Sequence, residues 1–167
     1  MNDFIISTII KLITSIFLNS NNIETNIDID NAPNWFYKQP SDKICYSYYR
    51  NTDLNGIDNS TDIAKIKLAN RIRFEIEKAI YKSKLSKSKK EYMLDKLVLD
   101  RDLQKFVDYY SNVLNISHKK NKTFVRVCIN KKELIKYESN KIKQLKVEYV
   151  KQEADEAYKD LDQSIKK

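Results

Sequence analysis

Apolar positions along this chain fall into short β-prone runs and longer stretches at helical spacing, and their order outlines the fold. Ile44-Cys45-Tyr46-Ser47-Tyr48-Tyr49 is rich in aromatic and β-branched residues and reads as a first strand. Asp53-Leu54-Asn55-Gly56 then forms a turn. Ser60 or Thr61 caps a helix whose apolar positions include Ile63, Ala64, Ile66, Leu68, Ala69 and Ile72. After it, Ile72, Phe74 and Ile76 alternate with Arg73, Glu75 and Glu77 as in a half-buried strand, although Ala69, Ile72, Ile76 and Ile80 also keep helical spacing. The expectation is a helix ending near Arg71 and a strand running to about Leu85.

Residues 82–90 read as a lysine-bearing edge strand and loop, since lysines discourage edge-to-edge pairing. Helical spacing resumes over residues 91–110 through Leu94, Leu97, Val98, Phe106 and Tyr110. Val113–Ile116 and Phe124–Ile129 flank the polar Lys119-Lys120-Asn121-Lys122 and form the clearest hairpin in the sequence. From Lys132 onward nothing breaks a helix, and Val147, Val150, Ala154, Ala157 and Leu161 repeat at heptad-like spacing. That narrow, alanine-rich stripe can pack on its own domain or on another copy. It is the candidate self-association surface.

These elements predict an α+β fold, a small antiparallel sheet packed by helices, with a long C-terminal helix. The chain divides into an N-terminal segment (1–20), a polar linker (21–32), an α+β domain (33–131) and the C-terminal helix (132–167). Pro33 and Pro40 hold Trp35, Phe36 and Tyr37 on an extended stretch. Pro33, Trp35 and Phe36 are therefore the expected structural anchor of the linker, with Trp35 buried against the domain.

Residues 4–18 are apolar enough to resemble the core of a secretion signal and too short to span a bilayer comfortably. Asp3, Lys11 and the lack of a small-x-small cleavage site fit a signal poorly. Plotted as a helix, Ile5, Ile6, Ile9, Ile10, Ile13, Ile16 and Phe17 share one face, so the segment is also an amphipathic helix for a membrane surface or for the domain itself. The polar linker that follows favours export with removal of about the first 20 residues.

Composition narrows the chemistry. Gly56 is the only glycine of 167 residues, which excludes dinucleotide fingerprints and phosphate-cradling loops, both of which need several. The net charge is +8, carried mostly by lysine rather than by the arginine fork that phosphate and base readers favour. Solubility accounts for that charge better than a nucleic-acid site does. The candidate polyanion-binding residues are Lys82, Lys84, Lys87, Lys89 and Lys90, with Lys119–Lys122 beside them. Cys45 and Cys128 match no zinc or redox spacing. They read as two buried thiols, or as a disulfide if the chain is exported.

His118 is the only histidine and lies by a lysine-rich turn, without the partners a catalytic triad or metal site requires. Asp100 with Asp102, or Glu153 with Glu156, are carboxylate pairs of the kind that line solvated helix faces. Tyr46, Tyr48, Tyr49, Tyr109 and Tyr110 gather near predicted element ends and read first as core packing, then as a binding surface. No residue is nominated for catalysis, cofactor or metal binding, and no small-molecule substrate is evident.

The order of these motifs resembles the lipoprotein-20 family of bacterial envelope proteins. The resemblance covers roughly residues 33–135 and rests on Pro33-Asn34-Trp35-Phe36, on Asp62-Ile63-Ala64-Lys65-Ile66-Lys67-Leu68-Ala69, and on Thr123-Phe124-Val125-Arg126-Val127-Cys128-Ile129 leading to Lys131-Lys132-Glu133-Leu134. It implies a small periplasmic or outer-membrane-associated α+β domain without enzymatic activity, acting through self-association or protein partners. Some relatives assemble into discs around the flagellar motor. Two departures stand out: Cys45 to Arg50 lacks the glycines usual in the family's first strand, and no cysteine directly follows residues 1–20 to accept a lipid. A retained amphipathic segment 4–18 would then supply the membrane contact. The competing expectation is a cytoplasmic, lysine-rich nucleic-acid-binding module.

Overall fold

A computed structural model describes residues 29–51, 59–98 and 102–165, together with helical positions between Ser7 and Phe17. The elements in chain order are β1 (Lys43–Asn51), α1 (Ser60–Lys82), α2 (Lys87–Val98), α3 (Asp102–Tyr110), β2 (Asn112–Lys119), β3 (Lys122–Asn130) and α4 (Lys131–Ile165). The strands form one antiparallel sheet in the order β1-β3-β2. This is the α+β fold with a long C-terminal helix.

β3 takes the centre because it is apolar on both faces. Its Val125, Val127 and Ile129 turn inward onto Leu68, Ile72 and Ile76 of α1, with Ile44 of β1 beside them. Phe124, Arg126 and Cys128 turn outward by the period of two. On that outer face Phe124 forms a second, smaller core with Ile29 and Phe36. The expected hairpin of β2 and β3 is present, and Lys120 takes the positive φ of 54° at its turn. A bulge between Val113 and Asn115 interrupts the register of β2.

Helix α1 corrects the expected break near Arg71. Ala64, Leu68, Ala69, Ile72, Ile76, Ala79 and Ile80 form one continuous buried stripe, so the helix persists to Lys82. The apparent alternation came from two helical faces: Ile72 and Ile76 point inward, while Phe74 is 56% exposed. At the N-terminus the cap is Asn59 rather than Ser60 or Thr61, and its carbonyl accepts the Ile63 N–H. Ser83 ends the helix by donating its N–H and its hydroxyl to the Ile80 carbonyl.

Residues 82–90 are correspondingly not an edge strand. They hold the end of α1, a short turn over buried Leu85, and the start of α2. The expected helix over 91–110 is two helices, α2 and α3. The predicted turn at 53–56 lies outside the described residues.

α4 leaves β3 without a loop. Lys131 donates its N–H to the Asp42 carbonyl, and the Asn130 side chain accepts the Lys132 N–H as a helix cap. Its first part belongs to the main core through Leu134, Ile142 and Leu145. Thirty-five residues make a helix of about 50 Å, longer than the small domain it starts from. Phe17 is also in that core at 1% exposure, and Ile10 and Leu12 pack against it. The described positions of the N-terminal segment thus pack on the domain.

Candidate functional site

Cys45 and Cys128 occupy directly opposed positions of β1 and β3 and are joined by a disulfide. Their Cα atoms are 4.0 Å apart, the close approach of directly facing residues in an antiparallel pair. Both are buried on the outer face. The outward edge of β1 is partly closed here, because the Cys45 carbonyl accepts hydrogen bonds from Arg71 Nη1 at 2.9 Å and Gln39 Nε2 at 3.4 Å. The opposite edge, β2, is open and exposes Val113, Leu114 and Ile116.

The expected anchor divides into unequal parts. Pro33 and Phe36 are buried, and Phe36 packs edge to face on Phe124. Trp35 is only half-buried. Its ring lies over the guanidinium of Arg126, 5.2 Å from the central carbon. Tyr37 secures the segment by accepting the Ile29 N–H at its hydroxyl, 2.7 Å away.

The candidate polyanion residues differ in their surroundings. Lys82, Lys84 and Lys87 are exposed, and Lys87 pairs with Glu91 across one helical turn. Lys90 is drawn back to the Tyr81 carbonyl, and Lys89 lies over the Tyr149 ring of α4. His118 shares a hydrogen bond with Thr123 across the hairpin, at 3.0 Å. Asp102 accepts from Lys105 and Lys141, and hydrogen bonding to Lys105 is the main cause that holds its carboxyl below the usual range. Asp100 lies outside the described residues. Among the described residues, no group of three or more His, Cys, Asp or Glu side chains could hold a metal ion.

Between α3 and α4 lies an open groove of roughly 400 Å³, floored by Phe106 stacked on Tyr137 and flanked by Tyr109, Tyr110, Lys105 and Lys136. Tyr109 and Tyr110 thus belong to a surface cluster, whereas Tyr46 and Tyr48 pack on the main core. Beyond Tyr149, which meets Tyr92 edge to face, α4 runs clear of the domain. The candidate stripe is exposed along its length: Val147 at 68% and Leu161 at 58%, with Val150, Ala154 and Ala157 also exposed. Tyr158 and Ile165 widen it.

No family model matches the chain, and no curated protein is significantly similar to it. Arg126 escaped the sequence reading, although a charge inside the apolar run Phe124–Ile129 was a visible signal. Its burial depends on Trp35 lying over the sheet, a contact across 91 positions that no local pattern encodes.

Proposed function

We propose that this protein is a non-enzymatic structural component of the bacterial envelope, related to flagellar or outer-membrane assemblies, and that it acts by associating with other copies of itself. The observation that carries this reading is the second half of α4. The apolar stripe on a helix that leaves its own core at Leu145 is exposed, with no partner surface among the described residues, and a helix gains most of its stability from such packing. The disulfide is consistent with an oxidising compartment, where such bonds persist. The envelope reading draws on the sequence resemblance to the lipoprotein-20 family; the Thr123–Ile129 segment of that resemblance lies in β3, the central strand of the sheet. Among the described residues no helix is long and apolar enough to cross a membrane.

The test is light scattering on full-length protein and on a chain ending after Leu145, joined to cell fractionation. Concentration-dependent mass that is lost on truncation, with the protein in the envelope fraction, is the expected result. Monomers in both cases, or protein confined to the cytosol, would refute the reading.

A further inference from the structure

Arg126 stands at the middle of the central strand and is 3% exposed. Its Nε donates to Ser47 Oγ at 3.1 Å, and the Trp35 ring covers its guanidinium. Its Nη2 is buried with no hydrogen-bond partner. No carboxylate among the described residues pairs with it, and desolvation alone pushes its pKa down. Arg71 shows the ordinary solution to the same problem: burial lowers its pKa as well, but Glu75 offsets part of the effect and its Nη1 has a carbonyl to bond. Arginine does not shed its proton in proteins, so Arg126 carries a desolvated charge that no carboxylate among the described residues balances.

The surroundings are those of a binding site rather than of a core. The register places Ser47 on one side of Arg126 and Asn115 on the other, so a polar row crosses all three strands, with Trp35 over its central member. Ser47 and Asn115 are both half-buried. The Ser47 oxygen accepts from Arg126, which leaves its hydroxyl hydrogen free to donate outward. Asn115 lies on the open edge strand, so the row can be reached from that side while Phe36 stays seated on Phe124.

We propose that Arg126, with Ser47 and Asn115 beside it, binds an oxyanion, a carboxylate or phosphate group, against the ring of Trp35. The guanidinium fork suits both groups. Two sources offer this chemistry: a small anion free in solution, or a carboxylate of a second copy. The second source has a clear candidate, because residues 147–162 carry Glu148, Glu153, Asp155, Glu156, Asp160 and Asp162 against only Lys151 and Lys159. That source rests on the self-association proposed above, whereas the first does not.

Trp35 is the only tryptophan, so its fluorescence reports this site alone. Full-length protein is titrated with sodium phosphate and sodium acetate against sodium chloride at matched ionic strength, and separately diluted in chloride. A saturable emission change specific to phosphate or acetate identifies a free anion. A change on dilution without added oxyanion identifies the second copy's carboxylate. Either response is lost in Arg126→Gln and weakened about tenfold in Arg126→Lys, which keeps the charge but not the fork. Should Arg126→Gln fail to fold, Asn115→Ala at the strand edge must weaken the response. A chloride response equal to that of the oxyanions with no effect of dilution, or an unchanged response in a folded Arg126 or Asn115 variant, overturns the proposal. A protein that is monomeric yet saturates with phosphate would refute self-association and leave this site standing.

Discussion

Phe36 meets Phe124 edge to face, with 5.5 Å between ring centroids, and this contact rather than Trp35 fastens the N-terminal strap to the sheet. Phe36 is 3% exposed and Phe124 fully buried, whereas Trp35 keeps part of its surface in water. Replacing Phe36 by Ala should destabilise the fold by about 3–5 kcal/mol, the range for a buried aromatic. Trp35→Ala should cost roughly half as much, since only part of its area is removed from water. Urea midpoints of the two variants check the order, and a larger effect at Trp35 would contradict it.

Phe17 makes a second claim on stability. Because it is 1% exposed within the main core, Phe17→Ala should also cost about 3–5 kcal/mol if the N-terminal segment is retained. Removal of residues 1–20 as a signal would make the substitution silent in the mature protein. Intact mass of protein recovered from cells, measured beside the melting temperature, separates the two cases.

The sheet was legible in the sequence because its strands are short, β-prone and bounded by polar turns, as at Val113–Ile116 and Phe124–Ile129. The region from Ile72 to Ile80 was not. Apolar residues at i and i+4 with Phe74 between them satisfy a period of two over five residues, and only the longer stripe from Ala64 to Ile80 reveals the helix. The stripe on α4 was legible by its heptad spacing. Which part of that helix stays in the core was not, because Leu134, Ile142 and Leu145 continue the same kind of pattern. Arg126 shows the remaining limit: the residue type was visible, but its burial under Trp35 is a contact distant in sequence.

The disulfide should contribute substantially, because it closes a long loop between residues separated by 83 positions. Chain-entropy arguments give about 4–5 kcal/mol for such a loop, and measured values are commonly lower. Cys45→Ala, or reduction under partly denaturing conditions, should lower the unfolding midpoint accordingly. A native protein that reacts stoichiometrically with a thiol reagent would show that the bond does not form.

Asp102 ties the start of α3 to α4 through Lys105 and Lys141. Its carboxyl is held below the ordinary range, so this contribution is present above that range and is lost as pH falls through the lowered value. The site is exposed to water, and the effect is correspondingly small and screened by salt. A carboxyl titration followed by NMR should show a depressed midpoint that rises towards the ordinary value in high salt or in Lys105→Ala.

The last prediction concerns how the second half of α4 associates. Its apolar stripe supplies a contact surface, but Ala154 and Ala157 offer little area, so charge should weigh heavily in the outcome. The acidic residues 147–162 sit in a chain of net charge +8, so everything outside that stretch is strongly basic. Two acidic halves side by side repel one another, and added salt would strengthen such a symmetric seam. An acidic half docked on the basic surface of another copy attracts, and salt would weaken it. We expect the second behaviour: association should rise with protein concentration, fall as ionic strength rises, and be lost in Leu161→Asp or on truncation after Leu145. Such a contact joins two different surfaces, so it closes into rings or extends into filaments instead of stopping at a dimer. Sedimentation or light scattering across a salt series reads the sign directly. Dimers that tighten with salt would instead establish the symmetric seam.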